Sequence, residues 1–334
     1  MTRRLISPRR WTPPAAPPDA GRTSATRPLV GARHLHTGGH GPEDVVFDDR
    51  GRVLTGLEDG RIVALDAETG DSTTLGSTGG RPLGLEPCSD GTVLICDHSR
   101  GLLRLHEDGE VEVLLDTVDG APLTFASNVA QDHDGTIWLT TSTSRWDLDH
   151  YRGDVFEHSG TGRLIRLGQD GTVTTVLTGL DFANGLVLSP DRSHLLIAET
   201  SGYRILRHWL AGEQAGDTEP FVDNLPGFPD NMSMGSDGLL WVAIAAPRNP
   251  LLDRLLPLPG ILRTLVWNLP EAVQPKATPI AWVMAFTLDG RAVHDLRSST
   301  GSYGFVTAVA ERNGMLVLGS LQEDTVGVVE LTRQ

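Results

Sequence analysis

A short pattern that recurs six times along the chain constrains the fold more than any other feature. Each copy has an apolar segment, a turn resembling Asp-Gly, and a second apolar segment; the turns lie at 50–51, 90–91, 134–135, 190–191, 237–238 and 313–314. Turns of this type favour β-hairpins because they tolerate positive φ and match the twist of paired strands. A third strand follows most copies, and four-stranded units repeating every ~40–50 residues are typical of a β-propeller. We therefore predict an all-β, six-bladed propeller.

The two ends of the chain bear on how the ring closes. The last copy stops after its third strand, at residues 326–331, and the segment 29–36 upstream of the first copy is the natural donor of the missing strand. We assign residues 29–334 to the propeller. Residues 1–28, which are rich in arginine and proline, are expected to form a flexible arm. Because such a ring closes on itself, we expect a monomer.

Two stretches interrupt the repeat. Residues 142–160 lengthen the third copy, and residues 247–280 add an apolar insert with interspersed prolines to the fifth. We expect a small helix near 258–268 that packs over one propeller face. Covering an exposed blade edge is the favoured role of this insert, ahead of a substrate lid.

The first strand of each blade lines the central channel, so equivalent positions meet on one axis. The residues at this position are Glu43, Gly84, Asn128, Asn184, the pair Asp230-Asn231, and Thr307. Buried anions without a cation cost on the order of several kcal/mol each, and an all-oxygen ligand set suits Ca²⁺ better than zinc or copper. The sequence therefore predicts one calcium ion in the channel. The alternative is that Asn and Asp cap strand ends through Asx turns.

Several motifs resemble strictosidine-synthase-like proteins; they lie at 39–44, 80–85, 182–185, 189–191, 198–200 and 225–231. The branch that this chain resembles contains adipocyte plasma-membrane-associated protein and bacterial relatives, within a superfamily of gluconolactonases, paraoxonases and phosphotriesterase propellers. The resemblance runs from about residue 29 to the C-terminus. It implies a Ca²⁺ held by the residues that match the family ligands, Glu43, Asn128, Asn184 and Asp230.

One position departs from the synthases in this group. They carry a catalytic glutamate where this chain has Thr307, and a hydroxyl is a poor general base. The plant synthases also lack the metal-ligand set. Both points favour a Ca²⁺-dependent hydrolase of a small lactone or ester, in which the metal polarises the carbonyl and a base activates water. A biosynthetic cyclase or condensing enzyme is one alternative, and a non-catalytic binding propeller with structural calcium is another.

His98 is our first candidate for the base. It follows the second strand of the second copy, where a connection should rise onto a propeller face, and paraoxonases resemble this chain in placing a histidine over calcium. A surface-loop histidine is the alternative. Asp97 and Asp230 are secondary catalytic candidates. The residues expected to line a small-molecule substrate pocket are Trp146, His150, Tyr151, Asn231 and Tyr303.

Charge and cysteine spacing limit the partners and the compartment. The net charge of -15 argues against nucleic-acid or anionic-membrane binding, which requires clustered Lys and Arg. No apolar run reaches the ~18 residues needed to span a bilayer, and none follows the N-terminal arginines as a signal peptide would require. Cys88 and Cys96 flank a turn at an offset too long for a disulfide. We therefore predict a cytoplasmic protein.

Overall fold

The structure is a computed structural model that describes residues 5–20, 27–29, 32–270, 273–298 and 303–331. Two strands precede the first blade: Arg27–Pro28 (β1) and Arg33–His36 (β2). The strands of blades one to three are Val45–Phe47 (β3), Val53–Gly56 (β4), Arg61–Leu65 (β5), Ser72–Ser77 (β6), Pro82–Pro87 (β7), Val93–Asp97 (β8), Gly101–Leu105 (β9), Val111–Leu115 (β10), then, after a hairpin of Thr117–Val118 (β11) and Ala121–Pro122 (β12), Ala126–Gln131 (β13), Ile137–Thr141 (β14), Gly162–Leu167 (β15) and Val173–Leu180 (β16).

Blades four to six continue the same order. Their strands are Ala183–Leu188 (β17), His194–Glu199 (β18), Arg204–Trp209 (β19), Thr218–Val222 (β20), Gly227–Met234 (β21), Leu240–Pro247 (β22), Ala281–Phe286 (β23), Ala292–Ser298 (β24), Val306–Arg312 (β25), Met315–Ser320 (β26) and Thr325–Glu330 (β27). The inner strands β3, β7, β13, β17, β21 and β25 contact one another in turn, and β25 returns to β3. This ring of sheets confirms the predicted six-bladed propeller.

Apolar side chains fill the space between neighbouring blades. Between blades one and two, for example, Leu54, Ile62, Leu85 and Ile95 form one buried cluster. Because each sheet is covered on both faces by its neighbours, its central strands are largely apolar, as in the run Val-Leu-Ile-Cys of β8. The packing of blade on blade therefore holds the inner strand ends at fixed positions around the axis.

The ring closes as the sequence predicts. Strand β2 pairs antiparallel with β27, with Leu35 opposite Val326, and completes blade six. Strand β1 was not predicted: it pairs in parallel with β24 as a fifth strand of blade five.

Within the described residues, the two inserts contain three short α-helices. Arg152–Glu157 (α1) follows a 3₁₀ turn at Leu148–His150, while Pro250–Leu255 (α2) and Gly260–Trp267 (α3) lie in the insert of blade five. Helix α3 confirms the helix expected near 258–268. The other two helices span six residues each, too few for a helical period to be recognised in the sequence. A local signal does start α2, because the Asn249 side chain accepts hydrogen bonds from the amides of Leu251 and Leu252.

Helices α1 to α3 and residues 273–279 together form what we call the roof, and residues 5–20 lie against it. Trp11 stacks on His158, with ring centroids 4.1 Å apart. The Arg9 guanidinium lies 2.8 Å from the Asp181 carboxylate. The Ile6 side chain joins a buried cluster with aromatic residues of the roof. The division into a flexible arm and a propeller stays a prediction.

Two observations bear on the surroundings of the protein. None of the helices in the described ranges is both long and apolar enough to cross a bilayer. Cys88 and Cys96 are both buried free thiols. The cytoplasmic location stays a prediction.

Candidate functional site

A cavity of about 450 Å³ lies between the inner strands and the roof. Its wall is largely apolar and includes Leu83, Phe125, Phe182, Phe228, Leu252 and Phe305. Leu252 belongs to α2, and residues 275–277 of the same insert also line the cavity. The insert of blade five therefore covers the cavity, which corrects the expectation that it mainly covers a blade edge. Leu252, Leu255 and Leu256 of the insert are buried, whereas Ile261 and Leu265 of α3 remain exposed, so only part of the apolar insert is used in covering the channel.

The floor of the cavity is polar, and its side chains come from several blades. Asn231 bridges two of them: its Nδ2 donates to Glu43 Oε1 (3.1 Å) and its Oδ1 accepts from Asn128 Nδ2 (3.0 Å). Asn184 Nδ2 donates to Asp230 Oδ1. All four predicted metal ligands are thus buried and lie in two hydrogen-bonded groups, one centred on Asn231 and the other formed by Asn184 and Asp230.

Irregular strand pairing positions these side chains. The register shifts at the equivalent point of five inner strands: around Gly84 in β7, Asn128 in β13, Asn184 in β17, Asp230 and Asn231 in β21, and Thr307 in β25. Bulges of this kind bend a strand and redirect side chains. At Gly84 an added Cβ would come within 2.5 Å of the neighbouring backbone at Ser127 and Asn128, so this position accepts only glycine. The bulges therefore bring the inner strands close together at the floor.

Burial makes the floor carboxylates costly to ionise. The pKa of Asp230 is raised to about 8, first by burial and then by the charge of Asp44. Burial also raises the pKa of Glu43 well above its usual range, and the charges of Asp230 and Asp44 add to this effect. Asp44 itself accepts hydrogen bonds from the amides of Val45 (2.9 Å) and Leu85 (2.8 Å), which ties blade one to blade two. Ionisation of both carboxylates would be favoured by a positive charge close to them.

The residues at the floor fit a hard cation. Glu43 Oε2 is buried and has no hydrogen-bond partner within the described residues. Carboxylate and carboxamide oxygens are the ligands that Ca²⁺ prefers. The fit depends on the carboxamides, because the described ranges contain no group of three or more His, Cys, Asp or Glu side chains arranged to hold a metal. The ligand assignment stays a prediction that this geometry supports.

Arg81 is a neighbour that the sequence interpretation missed. Its side chain is buried, donates from Nη2 to Gly41 O (2.8 Å), and partly offsets the rise in the pKa of Glu43. Arg81 precedes Gly84, the residue of blade two at the channel position, by three residues. The sequence interpretation considered only the charges at the channel positions and therefore did not include Arg81. The positive charge of Arg81 therefore offsets part of the negative charge at the floor.

The structure places His98 behind the cavity wall. Its Nε2 accepts a hydrogen bond from the Leu148 amide (3.3 Å), and its ring packs edge-on against Phe125, with centroids 4.9 Å apart. Leu148 and Phe125 line the cavity, whereas His98 does not. Burial lowers the pKa of His98, which favours the neutral ring. Because a neutral imidazole has one free lone pair and the Leu148 amide occupies it, His98 is poorly placed to deprotonate water in the cavity.

Asp97 also lies away from the cavity. Its Oδ1 accepts from the amides of Ser99 (3.0 Å) and Arg100 (3.1 Å), so it stabilises the turn after β8. Asp230 does line the cavity. Of the three catalytic candidates, the structure brings only Asp230 to the site.

Of the predicted pocket residues, only Tyr151 lines the cavity. Trp146 is buried in an aromatic cluster, with its Nε1 donating to Glu157 Oε2 (2.9 Å). His150 is exposed and contacts Asp147 Oδ1 (2.6 Å), and Asn231 lies in the floor network. Tyr303 is buried in the core, where its hydroxyl donates to Leu318 O (2.7 Å). These placements correct the predicted lining. The rings of Trp146 and Tyr303 pack in the core, where their polar atoms find hydrogen-bond acceptors, and so they do not face the cavity.

Thr307 occupies the position of the synthase glutamate. It lines the cavity, and its Oγ1 donates to Glu43 O (2.6 Å). The hydroxyl thus anchors the backbone of Glu43. This contact agrees with the expectation that Thr307 is no general base.

Comparisons with known proteins agree with this architecture. Residues 42–249 match the family described as SMP-30/Gluconolactonase/LRE-like region. The chain is 33% identical to adipocyte plasma membrane-associated protein of Salmo salar over 320 residues, covering 88% of this chain and 76% of the relative. It is 31% identical to protein strictosidine synthase-like 10 of Arabidopsis thaliana over 346 residues, covering 95% and 92%. These two relatives come from a fish and a plant, so a tie to bacterial members stays a prediction.

Solved structures share the fold at low sequence identity. A gluconolactonase from Xanthomonas campestris matches with a TM-score of 0.66 at 18% identity, covering 91% of each chain. A calcium-binding protein, regucalcin of Agrobacterium tumefaciens, matches with a TM-score of 0.59 at 15% identity, covering 92% of this chain and 96% of its own. The resemblance predicted from the sequence motifs is confirmed, and the chain belongs to the SMP-30/gluconolactonase/LRE-like family, with strictosidine-synthase-like and adipocyte plasma membrane-associated proteins among its relatives.

Proposed function

We propose that this protein is a Ca²⁺-dependent hydrolase of a small lactone or ester with an apolar body. The observation that carries the proposal is the pair of buried carboxylates, Glu43 and Asp230, at the floor of an apolar cavity. Its family relationship to gluconolactonases supports the reaction class. We also propose that it acts as a cytoplasmic monomer, since the ring closes through β2 and Cys88 and Cys96 are free thiols.

The ligands of the ion would be the oxygens of Glu43, Asp230, Asn128 and Asn184. When bound, a calcium ion polarises the scissile carbonyl and offsets the negative charge of the floor. The two carboxamides now face neighbouring side chains with their nitrogens, but each carries an oxygen that rotation of the amide presents instead. Glu43 Oε2 has no hydrogen-bond partner to give up within the described residues.

Asp230 is the residue to which we assign the proton of the attacking water. Its carboxylate reaches the cavity. Water loses a proton to a carboxylate oxygen of Asp230 as its oxygen attacks the carbonyl carbon, and the proton then passes to the leaving alkoxide.

The wall indicates which substrates would bind. The serine and threonine hydroxyls of the wall are already used within the protein: Ser127 Oγ lies 2.5 Å from Ser142 Oγ, and Thr200 Oγ1 donates to Pro229 O (2.7 Å). A sugar lactone would therefore replace few of the hydrogen bonds to water that it loses along this wall, at roughly 1–3 kcal/mol for each buried hydroxyl left unpaired. Aromatic and aliphatic lactones or esters fit the phenylalanine-rich wall better.

The test combines calcium titration with a substrate panel of aryl esters, alkyl lactones and gluconolactone. We expect turnover of the apolar substrates that chelator abolishes and calcium restores. Asp230→Asn should lower kcat by roughly 100-fold or more, the usual contribution of a general base. Glu43→Gln should weaken calcium binding. The matched control is Glu107→Gln, which changes the same charge on an exposed side chain far from the floor in sequence.

Two results would contradict the proposal. The first is the absence of turnover across the panel by calcium-loaded protein. If calcium still binds in that case, a binding propeller with structural calcium is the better description. The second is an Asp230→Asn variant with wild-type kcat. The cyclase alternative is disfavoured because the Thr307 hydroxyl is held by Glu43 O and offers no base.

A further inference from the structure

The chain of 334 residues contains one lysine, and that lysine lines the cavity. Lys276 lies in the roof, between α3 and β23, and its side chain is exposed. The other basic residue of the lining is Arg152, at the start of α1. All the remaining residues of the Lys and Arg total are arginines. A single lysine at the cavity is therefore a distinctive feature.

The backbone that presents Lys276 is held from both sides. Arg152 Nη2 donates to Gln274 Oε1 and to Pro275 O, each at 3.1 Å. Asn249 Nδ2 donates to Lys276 O at 3.0 Å. The side-chain Nε2 of Gln274 in turn donates to Trp267 O (2.8 Å) at the end of α3. These contacts hold the segment by its backbone and leave the Lys276 ammonium available.

The charges of the cavity are separated by depth. Glu43 and Asp230 are buried at the floor, whereas Lys276 is exposed and Arg152 is half-buried. Although the protein has a net charge of -15, neither Lys276 nor Arg152 pairs with a carboxylate within the described part of the chain; Arg152 donates instead to the neutral acceptors Gln274 Oε1 and Pro275 O. Much of the remaining lining is apolar, including Phe125, Phe182 and Phe228. A ligand that matches this cavity has an apolar body and an anionic group at its outer end.

We infer that Lys276 determines specificity for substrates that carry an anionic group, a carboxylate or a phosphate, at the end remote from the scissile carbonyl. This inference rests on the proposed hydrolase function, which places the scissile carbonyl over the floor. We call the outer part of the cavity at Lys276 and Arg152 the rim. The Lys276 ammonium binds the anionic group of the substrate there, while the scissile carbonyl lies over the floor. Arg152 contributes positive potential there, but it also holds the roof segment and is therefore a poor probe.

The first experiment reads binding without turnover. Because Lys276 is the only lysine, an amine-reactive acylating reagent modifies only this residue and the chain's α-amino group, which mass spectrometry of peptides separates. We expect octanoate and octyl phosphate to slow acylation of Lys276, relative to the α-amino group, whereas octanol does not. Acetate and inorganic phosphate serve as controls for anions without an apolar body. Equal effects of octanoate and octanol, or none from either anion, would overturn the inference.

The second experiment reads specificity in turnover. Paired esters that differ only in a terminal carboxylate or phosphate are compared through the ratio of kcat/KM for the charged over the neutral ester. Lys276→Met should lower this ratio about fivefold, the value of a partly exposed ion pair, and Lys276→Arg should retain it. Arg254→Met, which removes a charge from the exposed side of the same insert outside the cavity lining, should leave the ratio unchanged.

An unchanged ratio in Lys276→Met would overturn the role of Lys276 while leaving the hydrolase proposal intact. If no ester is turned over by any variant, the hydrolase proposal fails, and the acylation result alone decides whether the rim binds anions. A preference for the phosphate over the carboxylate probe identifies which anion the rim accepts.

Discussion

At the residue scale, adjacent side chains in one strand have different tasks. Asp230 reaches the cavity, while the next residue, Asn231, connects Glu43 to Asn128. Both lie at the axis because β21 shifts register between Pro229 and Met232. A regular strand would direct one of the two away from the floor. The bulge thus places both the Asp230 carboxyl group and the Asn231 carboxamide at the floor, where Asn231 binds Glu43 and Asn128.

Substitution of His98 tests the assignment of the base. Because its Nε2 is occupied by the Leu148 amide, we expect His98→Gln to retain kcat within about threefold of the wild type, whereas Asp230→Asn loses roughly 100-fold or more. Steady-state kinetics on one apolar ester measures both. A loss of kcat in His98→Gln as large as in Asp230→Asn would return the role of base to the histidine.

Asp154, which lies outside the floor, should make the free energy of unfolding depend on pH. Its pKa is raised to about 6, mainly by burial, while Ser159 Oγ donates to its Oδ2 at 2.5 Å. The folded state therefore binds the proton more tightly than the unfolded state. The associated stability is present below about pH 4 and is lost as the pH rises to about 6.

We expect the free energy of unfolding of the wild type to fall relative to that of Asp154→Asn across this pH window, by on the order of 1–3 kcal/mol. Urea denaturation of both proteins at the two ends of the window measures the difference. Parallel pH profiles for the two proteins would show that the carboxyl is not perturbed. Ser159→Ala serves as a control, because it removes the hydrogen bond and retains the titrating group.

At the element scale, strand β2 completes blade six and closes the ring. Its Leu35 is 7% exposed and packs into a buried cluster with residues of β3, β4, β5, β25, β26 and β27. The side chain on either side of it in the strand is exposed. One inward residue of a four-residue strand therefore contributes most of the apolar contact that closes the propeller.

Leu35→Ala should lower the free energy of unfolding by roughly 2–4 kcal/mol, because it removes buried methyl groups at a joint between two blades. The matched control, His36→Ala, changes an exposed residue of the same strand and should alter stability by less than about 0.5 kcal/mol. Chemical denaturation measures both. Equal effects of the two substitutions would mean that β2 closes the ring through its backbone pairing alone.

At the scale of the whole molecule, the floor joins blades that are distant in sequence. Glu43 precedes blade one, and Asn128, Asn184 and Asp230 come from blades three, four and five. An ion held by these residues binds the folded ring and not the unfolded chain. Metal binding and global stability should therefore be linked.

We expect calcium to raise the melting temperature of chelator-treated protein. At a free calcium concentration of 100 times Kd the added stability is about 2.7 kcal/mol, and it should grow with concentration as mass action requires. The double variant Glu43→Gln and Asp230→Asn should show no calcium-dependent shift. A wild-type melt that is indifferent to calcium and chelator would remove the metal from the proposed function.

The sequence by itself determined the repeat, the closing strand, the helix at α3 and the convergence of Glu43, Asn128, Asn184 and Asp230. These features follow from local rules: turn residues mark hairpins, strand periods mark blades, and the symmetry of a propeller brings equivalent positions to one axis. The single lysine was also visible in the sequence, but its place at the cavity was not.

The tertiary structure alone decided which side chains reach the cavity. His98 and Tyr303 were plausible by position, yet the Leu148 amide and the Leu318 carbonyl, both distant in sequence, satisfy their polar atoms elsewhere. Arg152 and Lys276 reach the rim because two inserts from different blades pack against each other. Side-chain direction at these positions depends on bulges and on long-range packing, which local patterns do not encode, and this is why the floor was predictable and the wall was not.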